Sequence, residues 1–75
     1  MIIVYTTNKC AYCKLVKKWL SEHKLNFKEK NVETNKEYQN ELTSLSGQFT
    51  VPLTVIGNKM LLGYDPIKLG KALNI

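Results

Sequence analysis

Arginine is absent from this 75-residue chain, and all 11 basic residues are lysine. Two-point recognition of phosphates and base edges draws on arginine forks, and no basic run exceeds the Lys17-Lys18 pair. The formal charge of +5 therefore does not point to a nucleic acid. Diffuse positive charge of this kind speeds encounter with acidic protein surfaces or anionic thiols instead. Long apolar runs are missing too. Ile2-Ile3-Val4-Tyr5 is broken by Thr6-Thr7-Asn8-Lys9, so neither a secretory signal nor a membrane span is expected, and a cytoplasmic address is the default. Histidine occurs once, at His23, and cysteine only at Cys10 and Cys13. A tetrahedral zinc or iron–sulfur site within one chain needs more ligands than that, so no metal is expected. His23 reads as a solvated residue at the end of a helix, near its last carbonyls.

The length and the 44% hydrophobic content fit one small domain over residues 1–75. A chain this short buries roughly 60% of the surface its unfolded form exposes, so staples are often needed. A crosslink between Cys10 and Cys13 would be a poor one, because a loop with two intervening residues constrains the unfolded chain little. In a reducing compartment a lone CxxC is more often chemical than structural.

The placement of the pair supports that reading. Cys10-Ala11-Tyr12-Cys13 follows an apolar run and opens a stretch of helical periodicity, where the first backbone N–H groups of a helix favour a thiolate. Cys10 is expected to be exposed and to ionise below the range of an ordinary thiol, with Lys9 and Lys14 adding to the effect. Cys13, one turn inside, is the shielded resolving thiol. Tyr12, within the intervening pair, is necessarily near the attacking sulfur. For Tyr5, packing weighs at least as much as contact with substrate.

Residues 2–5 are apolar and β-branched, as expected of a central strand. From Ala11 to about Lys24 the positions Leu15, Val16, Trp19 and Leu20 predict an amphipathic helix. Phe27 to Val32 is a weaker strand whose charges suit an edge. Thr34 or Asn35 can cap a second helix of about ten residues, with Tyr38, Leu42 and Leu45 as its stripe and Gly47 as its stop. Leu53 to Ile56 and Lys59 to Leu62 form a hairpin on Gly57-Asn58, two residues that tolerate positive φ. Asp65 caps a last helix that has Pro66 at its first position and packs through Ile67, Leu69, Ala72 and Leu73. The order is βαβαββα: a right-handed parallel crossover followed by an antiparallel hairpin, giving an α/β domain with a four-stranded mixed sheet and three helices.

With CxxC after the first strand, Thr50-Val51-Pro52 before the third and Gly63-Tyr64-Asp65 before the last helix, the chain resembles the glutaredoxins over essentially its whole length. The short length, the single glycine of Leu62-Gly63 and the Gly63-Tyr64-Asp65-Pro66 ending are also similar to the redoxins that serve class Ib ribonucleotide reductase. The resemblance implies a minimal thioredoxin fold. It also implies a cis Val51-Pro52 bond that holds the Val51 backbone beside the disulfide, where an extended substrate can pair with it; without the resemblance, Pro52 is simply a loop residue before a strand.

Thr50, Gly63, Tyr64 and Asp65 are further implied contacts, Asp65 either holding a glutathione amine or capping its helix. Two positions depart from the family. Ala11 replaces the usual proline of Cys-Pro-Tyr-Cys and gains a backbone N–H. Thr7 stands where a basic residue commonly meets the glutathione carboxylate.

The reading is therefore a small dithiol–disulfide oxidoreductase that reduces protein or glutathione mixed disulfides as a monomer. It binds no cofactor and draws electrons from glutathione, or from NADPH through a thioredoxin-reductase-type flavoenzyme. The alternative within this class is a dedicated electron donor to class Ib ribonucleotide reductase, reduced by thioredoxin reductase. From other classes come a non-catalytic peptide-binding module and a carrier of a glutathione-ligated iron–sulfur cluster.

Overall fold

The first strand, β1 (Ile2–Thr6), is an inner strand around which the rest of the computed structural model, which describes all 75 residues, is organised. Helix α1 (Ala11–Glu22), strand β2 (Lys28–Asn31), helix α2 (Lys36–Ser46), the hairpin β3 (Leu53–Ile56) and β4 (Lys59–Leu62), and helix α3 (Pro66–Leu73) follow in the expected order. The sheet runs β2-β1-β3-β4. β1 lies parallel to β2 with Val4 opposite Glu29, and antiparallel to β3 with Tyr5 opposite Leu53. β3 and β4 pair antiparallel, Leu53 opposite Leu62.

Side chains alternate across a strand, so β1 builds two cores at once. Ile2 and Val4 pack with Val16 and Leu20 of α1, joined by Tyr64 and by Leu73 of α3. Tyr5 points to the other face and packs with Val32, Leu53 and Leu42 of α2, against half-buried Tyr38 and Val51. Helices therefore cover both faces of the sheet. Its two rims differ: β2 at one end reads Lys-Glu-Lys-Asn, while β4 at the other reads Lys-Met-Leu-Leu with Met60 and Leu62 exposed.

Local chemistry explains the boundaries. Asn35 caps α2, its side chain accepting from the Tyr38 N–H at 3.2 Å, and Gly47 ends that helix in the left-handed region at φ 74°. Asp65 caps α3 and Pro66 stands at its start. α1 stops at Glu22, two residues before the expected end. The chain reverses there through Lys24 at φ 56°, and His23 caps the helix with Nδ1 2.8 Å from the Trp19 carbonyl and its ring stacked on Trp19.

The hairpin turn takes its positive φ at Gly57 (60°) and not at Asn58. Three packing expectations are corrected. Leu45 is 41% exposed, because α2 is fully buried against the sheet only at Leu42. Leu15 is 40% exposed, because the buried stripe of α1 runs through Cys13, Val16 and Leu20, and Leu15 lies on the opposite side of the helix. Ile67 is 71% exposed, because α3 packs through Leu69, about 160° away at roughly 100° per residue.

Candidate active site

The strand directions set the location of the site. β1, β2 and β4 run one way and β3 the other, so the segments after β1, after β2, before β3 and after β4 all emerge at the same end of the sheet. Those segments carry Cys10, Glu33, Val51-Pro52 and Gly63-Tyr64-Asp65 respectively.

Cys10 is the N-cap of α1, in extended conformation, and its Sγ accepts from the Cys13 backbone N–H at 3.1 Å. That donor has no carbonyl partner inside the helix, so the sulfur satisfies it. Cys10 is half-buried, whereas Cys13 faces the sheet and is 1% exposed. The two are joined as a disulfide with Cα atoms 5.2 Å apart. One sulfur is thus at the surface against an N–H donor, and its neighbour lies beneath it. This asymmetry suits exchange: the outer sulfur is open to attack by, or on, an external thiol, and the inner one is reachable only through it.

The other sequence-predicted residues divide by what they touch. Tyr12 is 62% exposed, and Lys9 projects into solvent without an ion pair. The Val51-Pro52 bond is cis, Pro52 is buried, and its carbonyl accepts from the Gly63 N–H at 2.9 Å, so the segments before β3 and after β4 are tied together. Thr50 is exposed and donates to the Gln48 side chain at 3.1 Å. Tyr64 leans on the α1-side core. Asp65 accepts from the Ile67 and Lys68 N–H groups through one oxygen, at 3.1 Å each. Tyr5 is a packing residue, and its hydroxyl donates to Glu41 at 2.8 Å.

Three polar clusters escaped the sequence reading, since each joins residues far apart in the chain. Thr6 donates to Glu29 at 2.7 Å and Lys17 pairs with the same carboxylate at 2.9 Å, linking β1, β2 and α1. Burial pushes the Glu29 carboxyl up, but Thr6 and Lys17 outweigh it and hold it below the usual range. Lys30 pairs with Glu41 at 2.6 Å while lying over the Tyr5 and Tyr38 rings. The Lys30 ammonium, then the Tyr5 hydroxyl, hold Glu41 below the carboxylate range. Asn8, Asn31 and Glu33 form the third cluster.

The largest surface cavity, about 630 Å³, lies along α2 beside Tyr5 and Glu41 and touches neither cysteine. Thiol exchange needs an accessible sulfur rather than an enclosing pocket.

The Glutaredoxin family model matches residues 2–61. The chain belongs to the glutaredoxin family. Like others of the family it is a thiol–disulfide oxidoreductase with a CxxC pair. It is 35% identical over 71 residues to the glutaredoxin-like protein NrdH of Lactococcus lactis subsp. cremoris, spanning 95% of this chain and 97% of that one.

Among solved structures, the glutaredoxin grx-1 of Archaeoglobus fulgidus superposes with a TM-score of 0.87 at 26% identity, covering 96% of this chain and 84% of the other. The NrdH-redoxin of Escherichia coli shares the fold, with a TM-score of 0.84 at 24% identity over 93% of this chain and 91% of that one. These neighbours carry the same thioredoxin-like arrangement of a four-stranded mixed sheet and three helices. No helix of this glutaredoxin is long and apolar enough to cross a membrane.

Proposed function

We propose that this glutaredoxin reduces protein disulfides or glutathione mixed disulfides by a dithiol route in which Cys10 attacks and Cys13 resolves. The observation that carries the assignment is the contrast between a half-buried Cys10 sulfur accepting the Cys13 N–H and a Cys13 side chain covered by the sheet. The Cys10 thiolate displaces one sulfur of the target disulfide, forming a mixed disulfide and releasing the first target thiol. Cys13, deprotonated, then attacks the Cys10 sulfur and expels the second target thiol, and two electrons have passed to the target. The resulting Cys10–Cys13 disulfide is reopened by two glutathione thiols or by the dithiol of a flavoprotein reductase, with no resident cofactor.

Lys9, Tyr12, Thr50, Val51, Gly63, Tyr64 and Asp65 supply the surroundings of the bound target. The Val51 backbone pairs with an extended segment, and the Asp65 oxygen left over from helix capping meets an ammonium group.

A second reading is electron donation to class Ib ribonucleotide reductase with thioredoxin reductase as the source. It is favoured by the near full-length match to an NrdH protein and by Thr7 at the position where a basic residue would meet the glutathione carboxylate.

Turnover of a small mixed disulfide, driven in parallel by glutathione and by NADPH with thioredoxin reductase, separates the two. Faster turnover with glutathione supports the first reading. Turnover only with the reductase, joined by electron delivery to a class Ib ribonucleotide reductase in a coupled assay, supports the second, and no turnover with either rejects both.

A further inference from the structure

Two residues ahead of Cys10, Asn8 is held in a closed ring of hydrogen bonds. Its backbone N–H donates to Glu33 Oε1 at 3.1 Å, and its side-chain amide donates to Glu33 Oε2 at 2.9 Å. Its own Oδ1 accepts from the Asn31 amide at 2.7 Å, and Asn31 Oδ1 accepts from the Glu33 backbone N–H at 2.9 Å. The ring fastens the segment that delivers Cys10 to the turn after β2. Asn8 and Glu33 are both exposed, so neither fills a core, and a solvated contact of this kind contributes little to global stability. Its chemistry is nevertheless selective. Asn8 presents two donors to one side chain, and only a carboxylate accepts one on each of two oxygens, as Glu33 does here.

The need for such a tie arises when the disulfide opens. In the oxidised protein the S–S bond itself pins Cys10 over Cys13. Once reduced, Cys10 keeps its place against the Cys13 N–H only if the preceding loop is anchored elsewhere. We propose that Glu33 is a positioning residue for the attacking sulfur, holding Asn8 so that the reduced Cys10 stays at the helix N-cap where its thiolate is stabilised. This rests on Cys10 being the attacking group.

The charged and titratable groups at this end of the sheet include Lys9, Tyr12 and Lys14 near the cysteines, Glu33 after β2 with Lys36 and Glu37 in the first turn of α2, and Tyr64, Asp65 and Lys68 at the start of α3. Glu33→Gln removes one negative charge from this set, which by charge alone would favour the Cys10 thiolate and speed its alkylation. The amide it introduces also opposes a donor to one of the two Asn8 donors. Positioning by Glu33 therefore predicts the reverse: in the reduced protein the alkylation profile of Cys10 moves to higher pH, and the rate at neutral pH falls roughly threefold.

Asn8→Asp sets two carboxylates against each other and gives the larger loss. The double variant N8D/E33Q re-forms the ring with donor and acceptor exchanged at the parent net charge, and restores the parent profile. An unmoved or lowered profile in E33Q overturns the proposal, whatever the melting temperature does, and so does a double variant that fails to recover. A parent Cys10 that titrates as an ordinary thiol overturns the attacking-thiolate reading itself, and that result is visible without any variant.

Discussion

The Gly63 backbone N–H donates to the Pro52 carbonyl at 2.9 Å, joining the turn after β4 to the residue that leads into β3. Gly63 makes this bond with φ at 78°, a conformation costly for any residue with a Cβ. A Cβ built there meets nothing within 4 Å, so the penalty of Gly63→Ala is conformational alone. It should be about 1–2 kcal/mol, read as a drop in melting temperature of roughly 4–8 °C per kcal/mol for a domain of this size.

Cys10→Ser should abolish turnover with either reductant, because the only half-exposed cysteine sulfur is gone. Cys13→Ser should instead accumulate a mixed disulfide at Cys10, detectable by intact mass, and retain exchange with glutathione by the single-thiol route. Substantial turnover by Cys10→Ser would reverse the roles assigned to the two sulfurs.

Acid should destabilise the fold through Glu29 and Glu41. Both carboxyls lie below their ordinary range when folded, so their contribution is fully present above the unfolded carboxylate range and is lost as pH falls through the lowered folded values. At the alkaline end the signs invert. Burial and then Glu41 push the Tyr5 phenol up, and the Glu41 hydrogen bond pushes the Lys30 ammonium up, so their support is complete below the unfolded values and fades as pH rises through the folded ones. Melting temperature against pH should therefore fall at both extremes. Glu41→Gln should flatten both limbs, and unchanged limbs in that variant would show the cluster to be energetically idle.

Leu42→Ala should cost about 2–5 kcal/mol, since Leu42 is fully buried between α2 and the sheet. Ile67→Ala and Leu15→Ala should stay within about 0.5 kcal/mol, because both side chains face solvent. Urea midpoints of the three variants check the ranking.

Leu15, Ile67 and Leu45 mark where the apolar pattern misleads. In α1 the stripe runs through Cys13, Val16 and Leu20, and a cysteine considered only for its chemistry is easily left out of a packing pattern. Without it, Leu15 completes the apolar count on the wrong side. The caps at Asn35 and Asp65, the stop at Gly47 and the turn at Gly57 were legible because each depends on one residue and its immediate neighbours. The CxxC pair was legible for the same reason. Asn8 with Glu33, and Tyr5 with Glu41, are 25 and 36 positions apart and meet only once β1, β2 and α2 are in register. No local spacing announces such pairs.

The unequal rims of the sheet have a practical consequence for handling the molecule. Lys28, Glu29 and Lys30 discourage a foreign strand from docking beside β2, whereas Met60 and Leu62 leave the β4 rim with little to repel one. Heat-stressed or concentrated samples should nucleate their deposits from β4, and a lysine introduced at Met60 should delay the onset of turbidity without disturbing the thiol end.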